Sequence, residues 1–230
     1  MLFGIEWDVS SNWAFAVSIF PILLRGLWVT VQATAFGMVL ALVLGLILAL
    51  LRMVPLKIVS WPTAFFLEFV RDTPLLVQLY FLYFVLPDFG IILPAFLTGA
   101  IALGVQYCGY TAEVYRAGIE AVPRGQWEAA TALNMTTGLT YRDVVIPQAI
   151  PRIVPALGNY LVSMLKDTAI LSAVTVLEML NVAMLIGDRT FKYFVPLSMV
   201  GGLFLVVTLL SSWLIRFFDT RLPKSGIRLR

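Results

Sequence analysis

Three long stretches without a single charge decide what this chain can be: Gly26–Leu51, Phe89–Ala112 and Tyr193–Ile215, of 26, 24 and 23 residues. At a rise of about 1.5 Å per residue, each of them, coiled as a helix, crosses a hydrocarbon layer of roughly 30 Å. No water reaches a backbone amide or carbonyl in that layer, and a helix is the one single segment that satisfies its own. Composition agrees: 60% of the 230 residues are hydrophobic and 13% charged, with a mean hydropathy of +0.94. Soluble domains run at about 45–50% apolar and 25% charged. The sequence predicts an all-α integral membrane protein.

Two further apolar stretches are interrupted by charge. Ile58–Pro87 contains Glu68, Arg71 and Asp72, and Ile153–Leu177 contains Lys166 and Asp167. Counted as spans they bring the total to five transmembrane helices, at about 26–51, 58–87, 89–116, 153–177 and 193–216, and put the termini on opposite sides. A surface or re-entrant path for Ile58–Phe69 is the alternative, but Thr73–Pro87 alone is short for a span. Arg52 and Lys57 follow the first span, Arg116, Arg124, Arg142 and Arg152 flank the loop after the third, and Arg216, Arg221, Lys224, Arg228 and Arg230 follow the fifth. Basic residues gather on the cytoplasmic side of membrane proteins. The N-terminus is therefore expected outside, with the loop at 117–152 and a basic tail at 219–230 inside. Residues 1–22 are expected to form an outer-face segment. Within it Trp13–Leu24, which contains Pro21, reads as a short outer-surface helix leading into span one. Glu6 and Asp8 and the lack of a basic start speak against a cleaved signal peptide.

An ionisable group at bilayer depth costs several kcal/mol and usually faces a partner or a wet cavity. Arg71 and Asp72 lie near the middle of one interrupted stretch, Lys166 and Asp167 near the middle of the other. Pro74 removes a backbone donor beside the first pair. Each stretch thus offers one cation and one anion. That pairing suits a zwitterion such as an α-amino acid, whose carboxylate seeks a cation and whose ammonium seeks an anion. The same charges, paired with each other or with Glu68, would tie helices together; the two readings are compatible. Gln106 and Tyr110 share a helix face and supply uncharged hydrogen-bonding groups, to a solute or to a neighbouring helix. Glu113 and Arg116, one turn apart, read as an interfacial pair.

Several functions are excluded or weakened. There is no histidine, so histidine metal sites and histidine acid–base chemistry are absent, and the lone Cys108 forms no intrachain disulfide. Neither a catalytic residue nor a metal ligand is expected. No GxxxxGK[ST] phosphate loop occurs, so the chain is not expected to hydrolyse ATP by itself.

The segment RGQWEAATALNMTTGLTYRDVVIPQAI, residues 124–150, is polar in an oily chain and longer than a plain connection. Pro123 suits a first helical turn, Gln126–Met135 contains good helix formers, and Gly138 is placed to end the helix. Ala129, Ala130 and Ala132 keep the helix thin enough for another protein to approach closely. Pro147 and Pro151 mark the return toward the membrane.

This segment resembles the EAA loop of ABC importer permeases. That motif reads Glu-Ala-Ala, three residues, Gly, nine residues, then Ile-x-Leu-Pro. Here Glu128, Ala129 and Ala130 are followed at the matching spacing by Asn134, Val144, Ile146 and Pro147, with Asn134 in place of the glycine. The stretch FVRDTPLLVQL resembles the FRGTPLLVQL pattern of polar amino acid permeases, with Asp72 where glycine is usual. YTAEVYRAGIEAVPRGQWEAA, VIPQAIPRIVPALGNYLVSMLKDTAILSAV and GLWVTVQAT are similar to the same subfamily, so the likeness runs from about Leu23 to Phe218. The resemblance implies a type I importer transmembrane domain with a cytoplasmic coupling helix, working without a cofactor of its own. Its implied partners are an ABC ATPase dimer, a second permease, identical or homologous, an extracytoplasmic solute-binding protein and membrane lipid, with no nucleic acid. The implied location is the cytoplasmic (inner) membrane. It also implies ATPase coupling through Gly125, Glu128, Ala129, Ala130, Asn134 and Pro147, and a substrate pathway near Arg71, Asp72, Gln106, Tyr110, Lys166 and Asp167. The alternative is an ion-driven secondary carrier for a small zwitterion. The absence of a visible internal repeat weighs against that alternative.

Overall fold

The structure, a computed structural model, describes residues 7–221 and is helical throughout, with no strand among the described residues. Most of the expected basic tail, residues 222–230, lies outside them.

The first helix, α1, runs from Asn12 to Met53. Ser11 caps it, its hydroxyl accepting from the Ala14 amide at 3.1 Å. At 42 residues the helix is about 63 Å long, roughly twice the hydrocarbon thickness. This corrects the expectation of a separate outer helix at Trp13–Leu24, because the chain does not break at Pro21. The reason is tertiary. Phe15, Ile19, Ile22 and Leu23 are all buried against Met179, Val182 and Ile186, so packing on either side of Pro21 holds the helix through the missing hydrogen bond.

α2 (Lys57–Asp72) and α3 (Leu75–Tyr80) follow. A π-turn at Phe81–Val85 and a 3₁₀ turn at Leu86–Phe89 extend α3. The two halves meet at 101°, so Ile58–Pro87 is a bent pair and not one straight span. Pro74, unable to donate, sits at the bend as the residue before α3. α4 (Ala95–Glu120) is the central helix, with 14 of its 26 residues buried. It lies so close to α1 that a Cβ on Gly45 would collide with Thr111. The Thr111 hydroxyl donates to the Ala41 carbonyl at 2.7 Å, the kind of small-residue, hydroxyl-tied contact that joins helices in lipid.

On the far side of α4 come α5 (Arg124–Ala132), the three-residue α6 (Thr137–Leu139) and a π-turn at Thr140–Val145. α7 (Ile146–Asp167) returns into the core and ends in a 3₁₀ segment, Thr168–Val174. α8 (Met179–Thr190), which the sequence reading did not anticipate, meets that stretch at 45°. α9 (Phe194–Arg221) closes the fold. α1 and α9 are each long and apolar enough to cross a membrane, and up to four spans result if each bent pair counts as one. The 26-residue α4 is not in that set; Gln106, Tyr107, Tyr110 and its terminal charges lower its apolarity. α3, α4, α7 and the inner part of α1 share one apolar core, in which Met38, Leu79, Leu103 and Met164 are buried.

Candidate functional site

The sequence pointed to two places, one at mid-depth and one in the cytoplasmic loop. Of the six residues expected along a pathway at mid-depth, the structure joins Gln106, Tyr110 and Asp167 into polar clusters. The side-chain nitrogen of Gln78 in α3 lies 2.6 Å from the Gln106 side-chain oxygen, 2.7 Å from the Thr73 hydroxyl and 2.8 Å from the Val70 carbonyl. With two hydrogens it serves two of these at a time. Val70 is one of the carbonyls that the end of α2 leaves without a helical donor. Gln78 therefore dresses the bend with a side chain. Gln106 in turn donates to the Tyr110 hydroxyl at 3.4 Å.

Tyr110 stacks on Tyr160 of α7, ring centroids 5.3 Å apart, and both rings neighbour Tyr107 at 5.8 and 6.2 Å. The Tyr107 hydroxyl donates to Asp167 at 2.7 Å. Asp167 is half-buried at the end of α7 and held through one carboxylate oxygen by one ring of this three-tyrosine cluster. Tyrosine faces are electron-rich and favour a cation nearby.

Arg71 is half-buried, its stem packed on Gly109 of α4 and its Nε donating to the Leu67 carbonyl at 3.3 Å. Its terminal nitrogens make no hydrogen bond among the described residues. Asp72 and Lys166 are exposed on this protomer. The alternative in which these four charges, with Glu68, neutralise one another is corrected: among the described residues no ion pair joins any two of them, whereas Arg116 pairs with Glu113 and Glu120, and Arg142 with Asp143. The Glu113–Arg116 pair expected near the cytoplasmic end of α4 is present at 2.6 Å.

Sequence reasoning missed Gln78, Tyr107 and Tyr160 as members of this cluster. It also missed Glu178, wholly buried at the junction with α8. Its carboxylate accepts from the Leu180 and Asn181 amides at 2.8 and 2.6 Å, capping α8. The Met179 amide donates to the Thr30 hydroxyl at 3.3 Å, and Asn181 reaches back to the Val176 carbonyl at 2.7 Å. Thr175 just before it has φ of 62°, a strained value for a β-branched residue.

In the loop, α5 has two distinct faces. Gly125, Glu128, Ala129, Ala132 and Leu133, at i, i+3, i+4, i+7 and i+8, are all exposed. The opposite side turns inward: Ala130 is buried and Trp127 meets Tyr141 edge-on at 5.3 Å. Ala130 therefore serves close packing within its own chain, while its neighbours face out. The helix stops earlier than expected, at Ala132. Asn134, not Gly138, makes the stop: it has φ of 54°, its amide donates to the Thr131 carbonyl at 2.9 Å, and the Met135 amide donates to the Ala130 carbonyl at 3.0 Å. These are the two bonds of a Schellman turn. Asn tolerates this backbone next best after glycine, so the turn survives the departure from the motif. Pro147 is exposed in the first turn of α7.

The described residues thus form an all-helical core rich in apolar helices, with polar groups at its bends and a thin helix that projects a small-residue face. Residues 41–224 match the family described as binding-protein-dependent transport system inner membrane component, and the chain belongs to that family. It is 56% identical, over the full length of both chains, to a probable amino-acid ABC transporter permease, y4tG, of Sinorhizobium fredii (strain NBRC 101917 / NGR234). It is 35% identical to the L-cystine transport system permease TcyB of Bacillus subtilis (strain 168), over 81% of this chain and 77% of that one. A solved amino acid ABC transporter with histidines superposes with a TM-score of 0.86 at 39% identity, covering 90% of this chain and 96% of that chain. Membership decides for an ABC permease over an ion-driven carrier.

Proposed function

We propose that this chain is one permease half of an importer that moves a polar amino acid, or a solute of like zwitterionic chemistry, across the cytoplasmic membrane. On this reading the two bent pairs and α4 join α1 and α9 as five spans, and the basic residues after the first, third and fifth support an N-terminus outside with α5 in the cytoplasm. A second permease completes the pathway, a solute-binding protein delivers from outside, and an ATPase pair receives α5. The observation that carries the coupling role is the exposed small-residue face of α5, ended by the turn at Asn134. Glycine and alanine let a groove wall approach the backbone, Glu128 supplies a charge and Leu133, 76% exposed, an apolar anchor.

At mid-depth the free valences suit a zwitterion. The unused carboxylate oxygen of Asp167 and the tyrosine faces suit an ammonium group, and the terminal nitrogens of Arg71 suit a carboxylate. Relatives named for cystine, glutamine and arginine support an amino acid as the solute class. Replacing Glu128→Lys is expected to leave the protein in the membrane and abolish ATP-coupled uptake of radiolabelled amino acids in reconstituted vesicles. Uptake at the wild-type rate would refute docking through this face.

A further inference from the structure

The chain between α5 and α7 is a poor lever. It consists of the turn at 133–136, the three-residue α6 and a π-turn, and π geometry is marginal. The start of α7 is weak as well. Pro151 and Pro155 lie inside it, and each deprives the carbonyl four residues earlier of its donor. A push on α5 carried along the backbone alone would be absorbed before it reached the membrane.

Side-chain ties bypass this segment. The Gln148 side-chain nitrogen donates to the Gln126 side-chain oxygen at 3.0 Å and to the Val144 carbonyl at 2.9 Å. It thereby joins α7 both to α5 and to the π-turn. One turn later, Arg152 donates to the Ala121 carbonyl at the end of α4. A guanidinium there satisfies an orphan carbonyl and complements the helix dipole. Beneath these bonds Ile119, Val122, Val145, Ala149 and Ile153 form one buried cluster, with Trp127 and Tyr141 packed against it. A Cβ on Gly118 would collide with Ile153, so α4 and α7 touch there without a gap.

We propose that Gln148 and Arg152 are positioning residues that bind the first turns of α7 to α5 and to the end of α4, so that all three move as one body. The far end of that body is Asp167. The 22 residues of α7 span about 33 Å, so displacement of α5 re-aims the carboxylate proposed to meet the solute. The inference rests on the reading of α5 as the coupling helix.

The test uses the assembled complex, permeases with their ATPase, in proteoliposomes. A reporter, Lys166→Cys, is labelled with a membrane-impermeant maleimide with and without ATP–vanadate trapping. Protein without the reporter, whose Cys108 is buried, gives the background. Gln148→Leu and Arg152→Leu are expected to shrink the nucleotide-dependent change in labelling rate by roughly 2- to 30-fold, the range seen at coupling residues that touch neither ligand. Trapped nucleotide should remain unchanged, and Arg152→Lys, which keeps a donor, should retain the response. Gln126→Leu combined with Gln148→Leu should do no more than Gln148→Leu alone, because the bond to Gln126 is already lost in that variant. A full response in both leucine variants, or additive loss in the double variant, overturns the proposal. Should Arg152→Leu fail to assemble, the glutamine cycle decides alone. If Glu128→Lys keeps the response, or the wild type shows none, the coupling reading fails and this inference with it.

Discussion

The chain breaks its helices at the exposed Asn134 and, between the two halves of an apolar bent pair, at Thr73–Pro74, and it mends the two breaks differently. At Asn134 the backbone closes its own turn with two local bonds, and the surroundings are exposed. At Pro74 the freed Val70 carbonyl is met by a side chain eight residues away, which is itself held by Gln106 of another helix. A carbonyl left open in water is hydrated at little cost, whereas one left open in lipid costs several kcal/mol. A break in the loop is thus a property of its local sequence, while a break at depth belongs to the tertiary structure. Substitutions at depth should cost more.

The largest effect is expected for Gln78→Leu. It strips a donor from Val70 and the partner from Gln106, and each buried group left unsatisfied costs about 1–3 kcal/mol. Thermal unfolding in detergent should show a clearly lowered midpoint. An unchanged midpoint would mean that the bend needs no side-chain support, and the contrast between the two breaks would disappear.

Glu178→Ala tests a second break at depth and should have an intermediate effect. The carboxylate satisfies two amides at the start of α8, and loss of a cap costs about 0.5–2 kcal/mol. Amide exchange at Leu180 and Asn181 should quicken most, with Glu178→Gln lying between because it keeps one acceptor oxygen. Uniform quickening along α1 and α9 as well would assign Glu178 to general packing and not to the cap.

What the sequence made legible follows the same division. On α5 the exposed Gly125, Glu128 and Ala129 could be picked out from near neighbours, although Ala130 turns inward and the helix ends at Ala132, short of Gly138. The charges at depth were visible as anomalies, and Pro74 announced a bend. Their partners were not visible. Nothing local tells Gln78 that it faces Gln106, or Tyr107 that it faces Asp167, 60 residues on. α1 runs through Pro21 for the same reason, since α8 holds it from outside. α8 itself escaped notice because it is short and follows a 3₁₀ segment that continues the apolar run of α7. Asn134 is the converse case: the motif flagged it as a departure, and the local turn absorbed it.

The smallest effects are expected at Asn134, and they have opposite senses. Asn134→Gly removes the steric cost of φ near 54° but frees the unfolded chain, and these terms nearly cancel, leaving a change within about 1 kcal/mol. Uptake should stay close to wild type. Asn134→Val places a β-branched side chain in left-handed backbone, at a cost of about 1–2 kcal/mol, and works against both bonds that end α5. Because Thr131, Asn134 and Thr136 around the turn are exposed, the damage should stay local: faster exchange at Asn134 and Met135 with little change in the unfolding midpoint. A drop in midpoint as large as that of Gln78→Leu would show that the loop turn, too, is held by the whole fold, and that the thin helix leans on the membrane core more than its exposed face suggests.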